Sequence, residues 1–463
     1  MDAEYATLID FGSTYTKVTC VSIPQQRVVM TGSFASTVHT DARIGMHRCF
    51  DAVTRVIGKQ AFEASLKLSS SSAAGGLRMA VIGLTSALSI SAGRNAAFGA
   101  GAKVMAVFSG RLKEADLEEL EQTDAEIILL CGGYEKGNRS MVLHNAKMLS
   151  EARLMVPVIY AGNSDAAQLV RELFRRNRKE CFLVDNIIPA VGEMNIGPAE
   201  EVIRHIFMKR IVNMKGMGAV QEEIGEILMP TPAAVLAAGS LLSEGTRREE
   251  GLGPMMMVDV GGATTDVYSF MKNTPFHHAH ISGAPEPYAK RTVEGDMGMR
   301  ESSVCVMQEV GEERMAQRAA VSPQRLQEGI DRRLKEHSIL ADSAEEMRID
   351  HEIASEAVSI SVRRHAGRLQ RVYSKGIREI QYGKNLTEAP LLVGTGGVIV
   401  HAPDPDALLQ NAVLRDAEDP GILIPRQLRT MVDHDYVFYA AGLLREYDEE
   451  AAFAIMKNSV LQC

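Results

Sequence analysis

The sequence predicts an α/β protein of several domains, one of them an inserted domain built on a parallel sheet. Two short apolar strands each run into an Asp-x-Gly turn, and the two turns lie about 250 residues apart. Between residues 79 and 184, apolar runs start every 22 to 30 residues, with polar or helix-like stretches between them. Strand and helix alternating at this period are typical of βαβ units. A chain of 463 residues is also too long for a single hydrophobic core.

The first Asp-Gly turn follows the apolar pair Leu8 and Ile9 and is typical of a β-hairpin. Its candidate ligand-binding residues are Asp10, Gly12, Ser13, Thr14, Tyr15 and Lys17. Glycine lets the backbone approach a ligand, successive turn N–H groups form an anion nest, and hydroxyl groups reach phosphate oxygens. An aspartate at the strand end can hold a hydrated Mg²⁺ ion. This turn is therefore a candidate phosphate loop.

The second Asp-Gly turn follows the apolar run 255–258. Its candidate residues are Asp259, Gly261, Gly262, Thr264, Thr265 and Asp266. One such loop is weak evidence of a site, whereas two loops that grip phosphates from opposite sides predict a nucleotide clamp. We expect Asp10 and Asp259 to be the metal ligands of that clamp, because Mg²⁺ prefers carboxylate oxygens and water.

A third glycine-rich turn ends the apolar strand 390–393. It consists of Gly394, Thr395, Gly396 and Gly397. Small residues there would let a flat base and a ribose lie directly on the backbone. Strand-Gly-helix junctions are common in α/β proteins, so the prediction of nucleotide contact depends on the two preceding loops.

Composition narrows the function classes. The net charge of -9 and the pI near 5.8 argue against broad nucleic-acid binding, which needs a basic surface. No apolar stretch reaches the roughly 20 residues of a membrane span. The acidic start 1–5 lacks the basic and then apolar character of a secretion signal. We therefore expect a cytoplasmic protein that binds neither nucleic acid nor membrane.

The order of these loops and of two Ala-rich segments resembles the actin, sugar-kinase and heat-shock-chaperone ATPase superfamily. The segments Pro230 to Gly239 and Asp435 to Leu443 are similar to its two connecting helices, and the resemblance extends from residue 8 to residue 443. It implies two similar α/β domains that face each other across a cleft for ATP and Mg²⁺.

A narrower resemblance involves six segments, which are 9–18, 72–85, 130–138, 258–266, 292–300 and 363–367. Together they look like the accessory protein of adenosylcobalamin-dependent glutamate mutase, the MutL or GlmL type. That family implies an ATP-driven reactivating chaperone, which removes a damaged cofactor from the mutase so that intact adenosylcobalamin can replace it. The implied partners are the subunits of glutamate mutase or of a related aminomutase.

The chain departs from the chaperone ATPases at the start of the first connecting helix. Those proteins have a Glu-Pro pair there, whose carboxylate helps to orient the attacking water, whereas this chain has Pro230 and Thr231, and the nearest upstream acid is Glu226. Asp10, Asp259 and Asp266 remain as the candidate catalytic carboxylates around Mg²⁺ and water. This departure from the family pattern therefore predicts slow hydrolysis of ATP.

The resemblance also suggests domain boundaries. Residues 1–69 would begin the first ATPase domain, 70–210 would be the inserted α/β domain, 211–255 would return to the first domain, and 256–463 would form the second. A helical insertion is expected over about 300–385, including one helix from Asp350 to Tyr373. The run Ser69 to Gly76 is low in complexity and predicts a flexible entry to the inserted domain, or a loop that orders when a partner binds.

Three alternative functions follow from the same features. A small-molecule kinase would use a carboxylate near the cleft as general base toward an acceptor hydroxyl. An actin-like filament protein would assemble according to its ATP state. An activator of dehydratases would need clustered cysteines for an iron–sulfur centre, and the six cysteines show no Cys-x-x-Cys spacing.

Overall fold

A computed structural model describes residues 3–38, 40–72, 77–212, 215–225, 227–337, 339–373, 377–415 and 419–461. Glu226, which the sequence suggested as an acid near the first connecting helix, lies outside these ranges. The chain forms two compact units. The first comprises Met1–Ala73, Val212–Ala279 and Tyr288–Cys463, and the second comprises Ala74–Ile211 and His280–Pro287.

The first unit begins with an antiparallel hairpin and a third strand, followed by two helices. These elements are β1 (Tyr5–Phe11), β2 (Tyr15–Ser22), β3 (Arg27–Ala35), α1 (Ala42–Ile57), α2 (Lys59–Ala64) and β4 (Leu66–Ser71). Strand β4 pairs with β1 in parallel, so Ser69, Ser70 and Ser71 belong to the sheet. The expected flexible entry is therefore wrong for these three serines, because their backbone groups complete the ladder beside β1. Residues 73–76 lie outside the described ranges.

The second unit carries the parallel sheet that the sequence predicted. Its elements are β5 (Arg78–Gly83), α3 (Ser91–Gly99), β6 (Lys103–Ser109), α4 (Glu114–Gln122), β7 (Ile127–Gly132), α5 (Ser140–Glu151), β8 (Val158–Gly162), α6 (Ser164–Arg176), β9 (Cys181–Leu183) and α7 (Gly197–Val212). The strand order is β6-β5-β7-β8-β9, and all neighbours are parallel. The apolar runs became strands because both faces of the central strand β7 are buried.

The chain then completes the first sheet and starts a second one. The elements are α8 (Met217–Ile224), β10 (Met229–Pro230), α9 (Thr231–Glu244), β11 (Met255–Val260), β12 (Thr265–Phe270), β13 (His280–Ser282) and β14 (Ala289–Glu294). Helix α9 carries a proline in its first turn, where a missing N–H costs nothing, and it ends before Gly245 with φ +83°.

The remaining elements form the helical insertion, a separate antiparallel hairpin, the last two strands of the second sheet and the helices that follow each of those strands. They are α10 (Ser303–Val310), α11 (Glu312–Arg318), α12 (Pro323–Lys335), α13 (Ala344–His365), β15 (Arg368–Tyr373), β16 (Ile377–Tyr382), β17 (Leu391–Thr395), α14 (Gly397–Val400), α15 (Pro405–Leu409), β18 (Arg429–Val432), α16 (Phe438–Leu444) and α17 (Glu449–Val460). Within the described part of the chain, every helix is too short or too polar to cross a bilayer.

The helix predicted from Asp350 to Tyr373 is wrong beyond His365. Helix α13 stops there, and Leu369 and Val372 lie on strand β15, which pairs with β16. Gly367 separates the two elements, and a Cβ at this position would lie 2.7 Å from the carbonyl oxygen of Tyr382. The helix therefore ends where the two backbones come close, although apolar residues continue at helical spacing beyond that point in the sequence.

Two sheets of the first unit share one topology. The first sheet has the order β10-β4-β1-β2-β3, and the second has the order β18-β17-β11-β12-β14. In each, the central hairpin is antiparallel, a third antiparallel strand lies on one side, and two parallel strands lie on the other. The first unit therefore contains two equivalent halves, as expected for the two similar α/β domains.

Helices α9 and α16 lie between the two sheets and share one hydrophobic core with both. This core includes Leu8 from the first sheet, Met257 from the second, Ala238 from α9 and Ala441 from α16. Small residues allow the close helix contact, since a Cβ at Gly442 would lie 2.5 Å from the carbonyl carbon of Ala234. The two halves are thus joined by tightly packed helices beneath their glycine loops.

Candidate functional site

The first hairpin turns at Gly12. Its N–H donates to the Tyr15 carbonyl at 3.0 Å, and a Cβ at Gly12 would lie 2.6 Å from the same oxygen. Only glycine fits this close turn. Asp10 stands at the end of β1 directly opposite Lys17 on β2. Ser13 and Thr14 form the tip of the turn.

The second hairpin repeats this geometry. The Gly261 N–H donates to the Thr264 carbonyl at 2.9 Å, and Asp259 on β11 pairs with Asp266 on β12. The turn is tied from behind, because the Arg300 N–H donates to the Gly262 carbonyl at 2.7 Å. The side chain of Arg300 is anchored in turn by Asp350 at 3.0 Å. Both predicted Asp-Gly turns are therefore hairpins of one design.

The third glycine turn lies against the second hairpin. Gly394 and Thr395 end β17, and Gly396 has φ +97°. A Cβ at Gly396 would lie 2.8 Å from Oδ1 of Asp259, so the backbone passes close to that carboxylate. Gly397 begins helix α14, and a Cβ there would meet open space.

Both halves of the first unit line one small polar cavity. Its lining consists of Asp10, Thr231, Val235, Asp259, Thr395, Asp433, Tyr436, Phe438 and Tyr439. The cavity thus brings together three of the predicted residues, namely Asp10, Asp259 and Thr395. The remaining predicted residues of the three turns are not part of this lining. Five of them are buried, namely Gly12, Thr265, Asp266, Gly394 and Gly396.

Asp10 accepts hydrogen bonds from two hydroxyl groups that sequence reasoning missed. Thr231 Oγ1 donates at 2.5 Å and Ser70 Oγ donates at 3.3 Å. Burial raises the pKa of the Asp10 carboxyl, while the charge of Lys17 and these two hydrogen bonds oppose the rise. Thr231 at the start of α9 and Ser70 on β4 thus anchor a carboxylate of the first hairpin.

Asp259 is the most strongly perturbed carboxyl of the cavity. Burial raises its pKa to about 7, and the negative charge of Asp266 adds to the rise, as do Asp433 and Asp10, whereas Lys17 opposes it. Several acids in one buried place repel each other, which favours a bound cation. The negative charges of these acids therefore favour the binding of a cation in the cavity.

Asp266 is held differently from the other two predicted carboxylates. Arg291 on β14 donates to its Oδ1 from Nε at 2.7 Å and from Nη2 at 2.6 Å. Burial raises the pKa of Asp266, and the Arg291 guanidinium lowers it. Asp266 thus has a permanent cationic partner inside the protein.

Asp433 is a further buried acid that the sequence did not single out. Its carboxylate accepts from Thr395 Oγ1 at 3.1 Å, from Ser459 Oγ at 2.7 Å and from the Val437 N–H at 3.0 Å. The Asp433 carboxylate also accepts from the Phe438 N–H, so it caps the start of α16 and ties it to the third glycine turn. Its link to the glycine turn could not be identified from the sequence, since Thr395 and Ser459 are remote from it in the chain.

The donor set fits a magnesium nucleotide. Among the described residues, no three His, Cys, Asp or Glu side chains are arranged to hold a metal ion by themselves. Mg²⁺ is usually held by one or two carboxylates together with water and substrate phosphates, so Asp10 and Asp259 are the candidate protein ligands for such an ion. The glycine turns beside them offer backbone N–H groups of the kind that bind phosphate.

Several known proteins are similar to this chain. Protein MutL of Clostridium tetanomorphum is 37% identical over 457 residues, which cover 98% of this chain and 99% of that protein. The ethanolamine utilization protein EutJ from Carboxydothermus hydrogenoformans is 10% identical with a TM-score of 0.32, covering 98% of this chain and 91% of that one. Xylulose kinase from Bifidobacterium adolescentis is 10% identical with a TM-score of 0.33, covering 97% and 93%.

The family assignment rests on the sequence comparisons alone. The profile described as MutL protein matches residues 6–460, which include all three glycine turns and the inserted unit. The family resemblance predicted from the sequence is thereby confirmed. This chain belongs to the MutL protein family.

Proposed function

We propose that this chain is an ATP-dependent reactivating chaperone for an adenosylcobalamin-dependent mutase, either glutamate mutase or a related aminomutase. The observation that carries the proposal is the pair of equivalent hairpins whose aspartates, Asp10 and Asp259, line one buried cavity. Membership of the MutL family supports the choice of client.

In this proposal Asp10 and Asp259 hold Mg²⁺, which supplies charge neutralisation for the phosphates of ATP. Ser13, Thr14 and Thr264 reach phosphate oxygens from the two turns, while 394–397 receives the base and ribose. Asp266 acts through Asp259. Its negative charge across the hairpin raises the pKa of the Asp259 carboxyl, which favours a bound cation there. The carboxylate that activates water would come from this set, and we expect hydrolysis to be slow.

The second unit is proposed to make the contact with the mutase. It has its own sheet and its own hydrophobic core, which includes Ile128, Leu130 and Tyr160. It also includes His280–Pro287, which runs directly into β14 of the second sheet. Strand β14 leads to the segment that holds Gly262 through Arg300. Chain connectivity thus offers a short route from the second glycine turn to the proposed docking unit.

Reactivation would follow from differential affinity. A mutase that has lost its adenosyl group retains an inert cobalamin in a buried site, so release breaks many contacts. A chaperone shifts the mutase toward an open conformation only by as much as it binds that conformation more tightly than the closed one. Hydrolysis of ATP would then end this tighter binding of the open mutase.

The test uses a cobalamin mutase inactivated by turnover. The mutase is mixed with this protein, ATP, Mg²⁺ and fresh adenosylcobalamin, and recovered activity is measured. We expect recovery that requires ATP and that is lost in Asp259→Ala. The matched control is Asp51→Ala, which removes an exposed carboxylate of α1 in the same unit and should reactivate normally.

Two results would overturn the proposal. In the first, several mutases, including the one encoded beside this chain, neither bind the protein nor recover activity. In the second, a small hydroxylated acceptor is phosphorylated at the expense of ATP in the absence of any protein partner, which would favour the kinase alternative.

A further inference from the structure

Tyr436 joins the two halves of the first unit at the edge of the cavity. Lys17 on β2 donates from Nζ to the phenolic oxygen of Tyr436 at 2.7 Å. The same ammonium lies 4.0 Å from the centroid of the Tyr436 ring, which adds a cation–π contact. Lys17 belongs to the first sheet, whereas Tyr436 follows β18 of the second.

The backbone of Tyr436 adopts an unusual conformation. Its φ of +53° lies in the left-handed region, which costs energy for a bulky side chain. The turn is held nonetheless, because the Tyr436 N–H donates to the Asp433 carbonyl at 3.1 Å and the Asp433 carboxylate caps the next two residues. The fold thus maintains a strained backbone that directs this phenol at Lys17.

Lys17 is a cation beside the acids of the cavity. It faces Asp10 across the first hairpin, and its charge lowers the pKa of both Asp10 and Asp259. A phosphate group held by the glycine turns would meet the same ammonium. The phenol of Tyr436 and an entering phosphate therefore compete for the position of the same ammonium.

We propose that Tyr436 is a positioning residue that holds Lys17 until a nucleotide phosphate takes its place. This inference rests on the proposed binding of nucleotide in the same cavity and assigns a role to one residue of its lining. An anionic phosphate oxygen accepts from an ammonium more strongly than a neutral phenol does. Nucleotide binding therefore releases Tyr436 from Lys17 and breaks a contact between the two halves.

The contact also lowers the apparent affinity for nucleotide. Only the molecules in which Lys17 has left Tyr436 can place its ammonium on a phosphate. The apparent affinity for nucleotide is therefore the intrinsic affinity multiplied by the fraction of such molecules. Removing the phenolic hydroxyl raises the competent fraction. Tyr436→Phe keeps the ring, so packing and the cation–π contact remain.

The experiment is a double-mutant cycle in the full-length chain, with Mg²⁺ and the non-hydrolysable analogue AMP-PNP titrated by calorimetry. We expect Tyr436→Phe to tighten binding by about threefold to tenfold, as suits loss of one competing hydrogen bond. In the Lys17→Met background the same substitution should change the Kd by less than about twofold, because the competing donor is absent.

Tyr439→Phe is the matched comparison. It removes another buried phenolic hydroxyl of the cavity, whose partner is Thr19 Oγ1 at 2.9 Å. Its effect on the Kd should be the same with and without Lys17. Circular dichroism melts establish that each variant is folded at the titration temperature.

Equal or weaker binding by Tyr436→Phe would overturn the inference, and so would an equal gain in both Lys17 backgrounds. If the wild-type chain itself fails to bind AMP-PNP, the proposed function fails as well. Binding by the wild type without a Lys17-dependent gain would reject the role of Tyr436 alone.

Discussion

Lys17 and Asp266 occupy equivalent positions in two hairpins of identical register. Lys17 stands opposite Asp10 in the first hairpin, and Asp266 stands opposite Asp259 in the second. The two halves therefore share a backbone design but carry opposite charges at the same place. Asp266 is neutralised by Arg291, whereas Lys17 donates to Tyr436. The asymmetry thus puts one cation opposite an acid in the first hairpin and a second acid opposite an acid in the second.

Loss of either metal carboxylate should abolish hydrolysis that depends on Mg²⁺. We expect Asp10→Ala and Asp259→Ala to lower the rate of phosphate release by about 100-fold or more, because several kcal/mol of charge stabilisation disappear. A coupled phosphate assay with Asp51→Ala as control checks this. Unchanged turnover in both variants would contradict the assignment of the site.

Arg300 should support the second glycine turn from behind. Its guanidinium donates to Asp350 and to the carbonyl of Ile339 at 2.9 Å. We expect Arg300→Ala to cost about 1–3 kcal/mol of stability and to weaken nucleotide binding, since the segment whose backbone N–H donates to the turn loses its side-chain anchor. Urea unfolding and calorimetry measure the two effects. Arg332→Ala, at a half-exposed partner of Asp342, should leave both quantities near wild type.

The contact between the two connecting helices should not tolerate a side chain. Gly442→Val would force a branched group against the backbone of Ala234, and we expect a loss of about 1–3 kcal/mol. Gly218→Ala in helix α8 is the control, because a Cβ there meets no atom within 4 Å. A melting temperature for Gly442→Val equal to that of the wild type would contradict the close packing.

Nucleotide should alter the relation between the two halves of the first unit. Contacts from the γ-phosphate to Ser13, Thr14 and Thr264 favour a closed cleft, so we expect a smaller radius of gyration with AMP-PNP than with ADP. Small-angle scattering at saturating nucleotide gives the measurement. Identical curves in both states would refute closure.

Glu200 should make the stability of the second unit depend on pH. Burial raises the pKa of its carboxyl from 4.5 to about 7. Because the folded pKa exceeds the unfolded one, this contribution is fully present below about pH 4.5 and is lost as the pH rises through about 7. Glu200→Gln stays neutral and should flatten the fall in melting temperature between about pH 5 and about pH 8. A fall as steep as that of the wild type would exclude Glu200 as the cause.

The sequence predicted the features that depend on neighbours in the chain. The turns at Gly12 and Gly261 are local designs, so residue type and spacing suffice to identify them. Tyr436 and Asp433 could not be predicted, because their partners Lys17 and Thr395 come from remote parts of the chain. Their roles depend on tertiary packing, which a single sequence does not encode in any short pattern.

Two wrong predictions have the same physical origin. The serines of β4 belong to a low-complexity run, yet pairing with β1 places Ser70 beside Asp10. The helical spacing of apolar residues in α13 continues to Val372. The helix nevertheless ends at His365, because another backbone segment lies close to Gly367. In both places a contact between distant segments outweighed a local preference.

The position of α16 has a consequence for biosynthesis. Asp433, Tyr436, Phe438 and Tyr439 line the cavity, and the core that joins both sheets needs α16 and α17. A nascent chain that has emerged only as far as β17 already contains both Asp-Gly hairpins but lacks this wall. The second unit, which is made much earlier, can fold around its own sheet while the ribosome is still translating. On this order of events, the cavity is completed only after the second unit has formed.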